Sequence, residues 1–498
     1  MRKLLIGLLL LAALLGGAFG ALLVTGTIDT TSARMIFNVL FGLPGPPTDA
    51  AKVEGAYQVP DGFSITLYSG EVPRARLLRF TPAGDLLVSR PHAGDIVLLR
   101  RDADGDGHPD GMETVIADLQ RPQGMDFAGE WLYIAESNRI GRIRFDSATG
   151  SASGPYEPVV EGLTADGNHW SKTLRVGPDD RLWLSQGSTC NVCVEEDPRR
   201  AALMRFQPDG SEPEIIATGL RNSVGFDWAP WSGDLYATDN GRDLLGDDFP
   251  PCELNRIERD GFYGWPWYSG DNVPDPDMGP DPLRDERQPI PPVHGFRAHN
   301  APLGIAFVNT AGWPDRYGRT ALVALHGSWN RSSPDGYKVV SLHWSEDGIE
   351  ERDFLTGFYR DGDILGRPVD VAQGPDGAIY ISDDYAGAIY RVAWGEGGSS
   401  SLAGGAPASR LDAEPPAWLA EADLQAMADR GEALYQKYDC ASCHERGKYA
   451  ARLTGLAERA GYQAVIEVLR APPSPMPVFQ LSEAERRELA VFLLREEP

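Results

Sequence analysis

The 498-residue chain has little positive charge, few histidines and few cysteines. Lysine and arginine number 46 against 72 aspartates and glutamates, which gives a formal net charge of −26 at pH 7. The phosphate backbone of a nucleic acid is repelled by such a surface, so nucleic acid is excluded as a partner. The hydrophobic (42%) and charged (24%) fractions are those of an ordinary globular protein, and the length predicts two domains.

The first residues form a separate segment. Met1-Arg2-Lys3 is positively charged, and residues 4–24 contain no charged side chain. This pattern is typical of a secretory signal peptide cleaved near Ala18-Phe19-Gly20, or of a membrane anchor, since the apolar run continues past that site. Residues 1–30 are predicted to be one or the other. Both alternatives place the remaining chain in the periplasm or at the outer face of the cytoplasmic membrane.

A motif near the C-terminus indicates a cofactor. Cys440-Ala441-Ser442-Cys443-His444 has the C-x-x-C-H spacing, in which two thiols add to the vinyl groups of a haem and the histidine reaches the iron. A disulfide turn and half of a zinc site are the alternatives. A zinc site needs a second Cys/His pair, which the downstream sequence lacks. The motif predicts a c-type haem (heme c) and therefore electron transfer.

The surrounding sequence resembles a small all-α cytochrome c over residues 419–498. A helical pattern precedes the motif, a proline-rich stretch then presents Met476, and Ser482 with Glu485 predicts a capping box that opens a last helix. The resemblance implies covalent haem attachment through Cys440 and Cys443. It also implies His444 and Met476 as the axial ligands of the iron, a pairing that raises the haem potential.

The other three cysteines are assigned separately. Cys190 and Cys193 form a second C-x-x-C without a histidine after it. In an oxidising compartment this spacing predicts a local disulfide, and a redox-active pair is the alternative. Cys252 is predicted to be a buried thiol.

Residues 55–395 repeat one short phrase, a tight turn followed by alternating apolar residues, and helical periodicity is almost absent. The six copies begin at Thr81, Ala128, Gly177, Trp231, Tyr317 and Gly374. Sheets that recur roughly every 45–60 residues are typical of propeller blades, so we predict an all-β six-bladed propeller, with a long sandwich as the alternative. A Gly-, Ser- and Pro-rich composition then predicts a flexible linker over residues 396–418.

Polar residues occupy particular loops of the predicted blades. In a blade, the loop leading into the innermost strand and the loop following the second strand open on the same face. The leading loops contribute Gln123, Asn168-His169, Arg221-Asn222, His299-Asn300 and Arg367. The following loops contribute Arg90, His92, Glu136, Gln186, residues 239–242, His326 and Asp383-Asp384. A polar ring around the channel predicts a binding site at that face.

Several phrases in this region resemble the soluble quinoprotein sugar dehydrogenases, the glucose and sorbosone dehydrogenase family. They are GNHWSKTL (167–174), ATGLRN (217–222), TDNGRD (238–243), ELN (253–255) with YGWP (263–266), and GRPVD (366–370). The resemblance implies a six-bladed propeller that holds pyrroloquinoline quinone (PQQ) and calcium at one face.

The resemblance also implies roles for individual residues. His169 matches the general base that takes the proton of the sugar's anomeric hydroxyl, and an imidazole suits this step because its pKa lies near neutral pH. Arg221 and Asn222 match residues that flank the quinone carbonyls. Arg367 matches a clamp for a PQQ carboxylate. Gln123, from the polar ring, is expected to bind the cofactor too.

Other positions match the family less closely. Gly241 and Arg242 lie where the family binds its catalytic calcium through backbone carbonyls, which are ligands that this hard cation prefers. His326 stands where the glucose enzymes place a lysine against the cofactor. Val369 stands where they have a second arginine. PQQ is therefore held differently here, or another cation such as Lys338 substitutes.

A second calcium site is expected in an acidic loop. Asp102, Asp104 and Asp106, with Asp110 and Glu113, have the spacing of an EF-hand-like calcium loop. The loop joins strand-like segments and not helices, and an acidic turn without an ion is the alternative.

Together these features predict an exported PQQ-dependent dehydrogenase. We expect it to oxidise an aldose-type sugar at the anomeric carbon and to pass electrons to its own haem, then to a downstream cytochrome or a membrane electron-transport chain. A calcium-dependent, lactonase-like propeller hydrolase is one alternative, although hydrolysis needs no electron acceptor. A non-catalytic propeller that docks a redox partner is the other.

Overall fold

The computed structural model describes residues 45–46, 48–284, 286–346, 348–395, 424–438, 440, 462–470, 479 and 481–494. Six antiparallel sheets form a propeller, and helices follow it. The predicted fold class, an all-β six-bladed propeller followed by a small all-α domain, is confirmed. The segments predicted as signal peptide or anchor (1–30) and as linker (396–418) lie outside the described residues.

The described chain begins with helix α1 (Ala50–Ala56) and strand β1 (Phe63–Ser69). Blade 1 comprises β2 (Leu78–Phe80), β3 (Leu86–Arg90), β4 (Asp95–Leu99) and β5 (Met112–Ile116). Blade 2 comprises β6 (Met125–Ala128), β7 (Trp131–Ala135), β8 (Ile140–Asp146) and β9 (Ser151–Val160). Blade 3 comprises β10 (Lys172–Val176), β11 (Leu182–Gln186), β12 (Ala202–Phe206) and β13 (Glu214–Thr218).

The later blades carry short additional strands. Blade 4 comprises β14 (Phe226–Trp228), β15 (Leu235–Asp239), β16 (Cys252–Ile257) and β20 (His294–Phe296). Three short strands lie between β16 and β20. Strand β17 (Gly261–Phe262) joins the edge of the blade 3 sheet, parallel to β13, and β18 (Tyr268–Ser269) and β19 (Val273–Pro274) form a separate hairpin. Blade 5 comprises β21 (Pro302–Phe307), β22 (Thr320–Leu325), β23 (Lys338–Ser345) and β24 (Gly348–Leu355), with a 3₁₀ turn (Asp315–Tyr317) before β22. The hairpin of β25 (Tyr359–Arg360) and β26 (Asp363–Ile364) precedes β27 (Pro368–Gln373), β28 (Ile379–Asp383) and β29 (Ala388–Trp394).

Both ends of the propeller sequence build blade 6. Strand β1 pairs antiparallel with β29, with Phe63 opposite Trp394, so the sheet has the order β1-β29-β28-β27. Most of the apolar core lies between neighbouring blades. Between blades 6 and 1, for example, Tyr380 and Ile389 pack in one cluster with Leu86 and Val97. This packing explains why second strands such as β22 are apolar along their length and buried throughout.

Aspartates on three innermost strands tie alternate blades to the next blade. Each accepts a hydrogen bond from a backbone N–H of the neighbouring innermost strand. The bonds run from Val176 N to Asp126 Oδ2 (2.8 Å), from Phe307 N to Asp227 Oδ2 (2.9 Å) and from Leu78 N to Asp370 Oδ2 (2.8 Å). Blades 2, 4 and 6 are thereby joined to blades 3, 5 and 1.

Asp126 is the most connected of the three. Arg79 of blade 1 donates to both its carboxylate oxygens, from Nε at 2.8 Å and from Nη2 at 2.6 Å. Arg175 of blade 3 lies 3.8 Å from Oδ2 and also donates to Asp227. One buried carboxylate, 2% exposed, therefore joins three blades.

The C-terminal part forms a small helical unit. Helices α2 (Leu424–Lys437), α3 (Tyr462–Arg470) and α4 (Glu483–Leu493) share one apolar cluster. Helices α2 and α4 approach closely at Gly431, where a Cβ atom would lie 2.2 Å from the carbonyl oxygen of Glu488. The predicted capping box is confirmed, since Ser482 N donates to Glu485 Oε2 (2.7 Å) and Glu485 N donates to Ser482 Oγ (3.3 Å).

Among the residues that the structure describes, no helix has the length and hydrophobicity needed to cross a bilayer. The apolar run at residues 4–24 is outside that set, so its prediction as an anchor or signal peptide stays a prediction.

We predict that Asp126→Ala lowers the free energy of unfolding by about 2–4 kcal/mol, because it leaves the Val176 N–H without its acceptor and Arg79 without its carboxylate partner. Asp61→Ala is the matched control, since Asp61 is exposed and does not have a positive φ, and it is expected to change stability by less than about 0.5 kcal/mol. Urea unfolding followed by tryptophan fluorescence measures both. Equal midpoints for the two variants would contradict the role given to Asp126.

Candidate active site

The predicted polar loops share one face, here called the upper face. The strand registers show this, since Lys172 at the start of β10 lies opposite Gln186 at the end of β11, and Pro368 lies opposite Asp383 in the same way. The loops leading into the innermost strands and those following the second strands therefore meet at this face.

His169 is held by the loop that follows β11. Its Nδ1 lies 3.1 Å from the carbonyl oxygen of Ser188 and 2.9 Å from Ser188 Oγ. A carbonyl only accepts, and Ser188 Oγ donates its hydrogen to the carbonyl of Cys190 (2.7 Å), so Nδ1 carries the proton. The lone pair of the imidazole is then on Nε2, where a general base needs it.

Burial keeps this imidazole neutral. Desolvation, aided by the nearby charge of Arg221, lowers the pKa of His169 to about 3. Arg200, itself buried, donates to the carbonyl oxygens of both His169 and Ser188 at 3.0 Å. The base is therefore positioned by a serine and an arginine, and both were missed in the sequence because neither lies in a recognisable motif.

Gly187 lets two predicted site residues approach each other. A Cβ atom at this position would lie 2.6 Å from Asn222 Oδ1 and 2.6 Å from the Cβ of His169. The backbone N–H of Asn222 donates to Asp239 Oδ1 at 2.5 Å, which holds the residue in place. His169 and Asn222 therefore line one narrow space, as predicted.

The guanidinium of Arg221 joins neighbouring loops through hydrogen bonds. Its Nε and Nη2 donate to the carbonyl and side-chain oxygens of Asn191 (2.9 and 2.8 Å), and Nη2 also donates to Asp243 (2.9 Å). Its Nη1 donates to the carbonyls of Asn240 (3.1 Å) and Gly241 (2.8 Å). All five donors are used, and the residue is 4% exposed. Direct contact with a quinone stays a prediction, and it would require one of these bonds to be exchanged.

The expected catalytic calcium fits poorly at Gly241 and Arg242. The carbonyl of Gly241 already accepts from the Arg221 guanidinium, so a cation bound there would lie beside a buried positive charge. The side chain of Arg242 is buried and is paired with Asp275 and Asp277. No step of the reaction is therefore assigned to calcium at this position.

Two buried carboxylates lie beneath the Arg221 loops. Asp239 accepts from the backbone N–H groups of Arg221 (2.9 Å) and Asn222, and Glu253 accepts from that of Gly270 (2.8 Å). Burial, together with the charge of Glu253, raises the pKa of Asp239, and burial raises that of Glu253 to about 7. Both line a cavity of about 10 Å³, which has room for one water molecule.

A group of cations forms the side of the upper face near blades 6 and 1. Arg367 donates to the carbonyl of His326 (3.3 Å), and His326 Nε2 lies 3.0 Å from Asp384, which also pairs with Arg76 at 2.9 Å. Burial and the charge of Arg367 lower the pKa of His326 to about 4, so the imidazole is neutral and donates to an ionised Asp384. Burial alone would raise the pKa of Asp384, but His326 and Arg76 outweigh it and lower that pKa.

Further arginines extend this group. The charges of Arg74 and Arg76 add to burial in lowering the pKa of His92, and Arg121 contributes to the same effect. The guanidinium of Arg121 lies over the ring of Trp170, 5.0 Å from its centroid. The sequence could have indicated Arg76, because it lies in the loop leading into the innermost strand of blade 1, a position that held predicted residues in the other five blades.

The residues present fit a planar triacid such as PQQ. A local excess of arginine in a chain of net charge −26 suits three carboxylates. Gln123 is 1% exposed, and neither of its side-chain polar atoms has a hydrogen-bond partner among the described residues. An orphaned amide of this kind is expected where a polar ligand binds. Such a cofactor would be held beside His169 by Gln123 and Asn222, together with Arg367 and Arg76.

Three other residues that the sequence analysis considered are engaged with partners outside the predicted cofactor site. Lys338 pairs with Asp353 at 2.6 Å and does not replace the missing cofactor cation. Val369 is buried against Val224 and Leu303. His299 donates from Nε2 to the carbonyl of Gly246 at 2.8 Å, which is an ordinary structural hydrogen bond.

The acidic loop joins β4 and β5, and its predicted ligand set is partly wrong. Carboxylate oxygens of Asp102, Asp104 and Asp110 lie within 4.8 Å of one another. The Asp106 side chain instead accepts from the backbone N–H of His108 (2.8 Å). Glu113 lies on β5 and pairs with Arg100, since the strand begins one residue before it. Calcium binding here stays a prediction, with Asp102, Asp104 and Asp110 as the predicted ligands that lie together.

The cysteines follow the sequence predictions where the structure describes them. Cys190 and Cys193 form the local disulfide, and its loop supplies the Asn191 oxygens that bind Arg221. Cys252 is 1% exposed, and burial raises the pKa of its thiol to about 11. Cys440 is half-buried and packs on the apolar cluster of the C-terminal helices, and its attachment to a haem stays a prediction. The predicted haem residues Cys443, His444 and Met476 lie outside the described residues.

Comparisons with known proteins agree with this geometry. The sequence model of the family described as Glucose / Sorbosone dehydrogenase matches residues 133–391. That described as Cytochrome C oxidase, cbb3-type, subunit III matches residues 426–493.

Individual proteins are also similar to this chain. An uncharacterized protein of Borreliella burgdorferi is 29% identical over 69% of the chain and 92% of that protein. The pyrroloquinoline quinone-dependent pyranose dehydrogenase of Coprinopsis cinerea is 24% identical over 70% of the chain. The matched part covers 56% of the length of that enzyme. The solved holo form of the PQQ domain of a C. cinerea pyranose dehydrogenase has the same fold, with a TM-score of 0.59 at 22% identity over 70% of the chain and 98% of that structure.

We predict that the His169 imidazole of the apoprotein stays neutral from pH 8 down to about pH 4. Its pKa is lowered to about 3, so protonation, and with it the loss of the base, begins only as the pH falls toward that value. An NMR titration of the imidazole carbons measures this, with His169→Gln assigning the resonance. A midpoint near 6.5 would show that burial does not control this group.

We also predict that Gly187→Ala lowers kcat/KM for the substrate turned over at this site by about 10-fold or more, because the new methyl group displaces His169 from Asn222. Gly55→Ala is the matched control, since a Cβ there meets no atom within 4 Å. Thermal unfolding of both variants is measured alongside, and a kinetic loss at a temperature where both remain folded is assigned to the displaced imidazole. Unaltered kinetics in Gly187→Ala would mean that the close approach is unimportant.

Proposed function

We propose, since the chain belongs to the glucose / sorbosone dehydrogenase family, that it is a PQQ-dependent dehydrogenase that oxidises an aldose-type sugar at the anomeric carbon. The electrons would pass to a haem c in its own C-terminal domain. The observation that carries the proposal is the neutral His169, with its proton held on Nδ1 by Ser188, beside the orphaned Gln123 and a cluster of arginines.

Each residue of the site has its own role in the proposed reaction. His169 Nε2 accepts the proton of the anomeric hydroxyl, which leaves the electrons of the O–H bond free to form the carbonyl as the C–H bond breaks. PQQ, when bound, accepts the hydride from that carbon. Arg76 and Arg367 hold carboxylates of the cofactor, and Gln123 and Asn222 supply further hydrogen bonds at the same site.

The C-terminal domain explains where the two electrons go. Its match to a cytochrome family and its C-x-x-C-H motif support a covalently bound haem. Haem, when bound, takes electrons one at a time, so each sugar requires two transfers. A tether between the two domains raises the effective concentration of the acceptor. From the haem, electrons would continue to a downstream cytochrome or a membrane electron-transport chain.

Export to the periplasm or the outer face of the cytoplasmic membrane is part of the proposal. The positively charged start followed by the uncharged run at residues 4–24 supports it. The Cys190–Cys193 disulfide supports it too, because such bonds persist in oxidising compartments.

We predict that the full chain, supplied with PQQ and Ca²⁺, reduces its haem when an aldose from a panel is added. His169→Gln should lower the rate by about 10²-fold or more while leaving PQQ binding intact. His108→Gln is the matched control, because His108 is an exposed histidine of the acidic loop. The haem absorption spectrum and dye reduction are followed in parallel.

Two outcomes would contradict the proposal. Absence of any aldose-dependent reduction of dye or haem would exclude the dehydrogenase. Dye reduction without haem reduction would retain the enzyme and exclude transfer to its own haem.

A further inference from the structure

Three neighbouring loops of the upper face each expose one large apolar side chain. They follow the second strands of blades 3, 4 and 5, and they present Val194, Leu244 and Trp329. The exposed fractions of these residues are 62%, 53% and 36%. Exposed apolar groups that cluster beside a site mark a surface that is covered by something else. We call this set the apolar rim.

Hydrogen bonds join the three loops into one continuous surface. Asn191 and Asp243 are doubly bonded, from Asn191 Nδ2 to the Asp243 carbonyl (3.2 Å) and from Asp243 N to Asn191 Oδ1 (2.8 Å). Asp247 accepts from Arg331 and from the backbone N–H of Ser332 (3.0 Å). The apolar rim is therefore held in a fixed arrangement beside the loops that position His169 and Arg221.

The surface around the apolar rim is acidic. The same loops carry Glu195, Glu196, Asp243, Asp247 and Asp248. The side chain of Asp248 is 85% exposed even though it pairs with Arg331. A partner for this surface should combine apolar groups with positive charge.

The chain itself contains such a partner. Residues 445–461, directly after the C-x-x-C-H motif, carry Arg446, Lys448, Arg452 and Arg459 against two glutamates, in a chain whose net charge is −26. The nearby helix α3 exposes Val468, which is 43% exposed. Positive charge next to a haem-attachment motif complements the acidic surface next to the apolar rim.

The connection between the domains is long enough. Strand β29 runs antiparallel to β28, whose end lies at the upper face, so the propeller sequence ends at the lower face. The seven residues of β29 correspond to a height of about 23 Å. Residues 396–423 reach up to about 95 Å when fully extended, which is ample for a path around the edge of the propeller.

We propose that the apolar rim and its acidic surround are the docking surface for the C-terminal domain of the same chain. The proposal rests on the proposed function, in that docking there brings the haem domain next to the cofactor site. A small, partly charged contact suffices, because the tether supplies a high effective concentration, and it should weaken as salt is added.

Zero-length carbodiimide cross-linking of the full chain tests the contact without sugar or PQQ. The chain has only the lysines Lys3, Lys52, Lys172, Lys338, Lys437 and Lys448, so links from the C-terminal domain are easily assigned by mass spectrometry. We expect links within one chain from Lys448 or Lys437 to carboxylates of residues 195–197 or 243–248. Links only to other regions, or only between chains, would overturn the proposal, the latter in favour of a second copy as the occupant.

Leu244→Arg should lower the yield of these links at least 5-fold, because it replaces an apolar contact with a charge of the same sign as the basic segment. Met112→Arg is the matched control, because Met112 is 43% exposed on β5 of blade 1, on the opposite side of the six-bladed ring from Leu244. An equal yield in the two variants would also overturn the proposal.

A kinetic measurement separates this proposal from the function on which it rests. In the PQQ-loaded protein, Leu244→Arg should slow sugar-dependent haem reduction about 10-fold and leave sugar-dependent dye reduction unchanged. Equal slowing of both would overturn the docking role. If the unchanged protein oxidises no sugar, the proposed function fails, and the cross-linking pattern still decides whether the two domains meet at this surface.

Discussion

The upper face depends on the bonds between innermost strands. Asp126, Asp227 and Asp370 each accept a backbone N–H from the next blade, which joins the six sheets in three pairs. The bonds of Arg79 to Asp126, Arg175 to Asp227 and Gln373 to Asn309 link these pairs into one ring. With that ring in place, residues that are distant in sequence meet. Arg76 and Asp384 are separated by 308 positions and are 2.9 Å apart. The binding site is therefore a property of the closed ring and of no single blade.

Much of the fold and of the site could be predicted from the sequence, because the order of strands in a propeller blade determines at which face each loop lies. The repeated turn phrase marks the second strands, such as β28 after Gly374, and the loops around them place His169, Asn222, His326 and Arg367 at one face. Contacts were harder to predict. A sequence shows that Arg221 is present, but only the folded loops show that all five of its N–H groups are already used. Glu113 was misassigned because strand pairing, and not motif spacing, decides its partner.

The protonation of the site follows from burial more than from ion pairing. His169 is bonded to the carbonyl and hydroxyl of Ser188, and no negative charge stabilises its protonated form there. His326 does face a carboxylate, yet burial and Arg367 keep it neutral as well. Two neutral imidazoles among arginines leave the positive charge of this face to guanidinium groups, whose charge does not vary with pH in the physiological range.

The pairing of β1 with β29 has a consequence for biosynthesis. The outer strand of blade 6 is β1, from the start of the propeller sequence. A chain leaving the ribosome therefore has five complete blades and an open ring until residues 388–394 have been synthesised. Arg367, Asp383 and Asp384 belong to that final blade. Under the proposed function, a quinone that arrived before the ring closed would lack one wall of its pocket, so we expect closure to come first and the prosthetic group second.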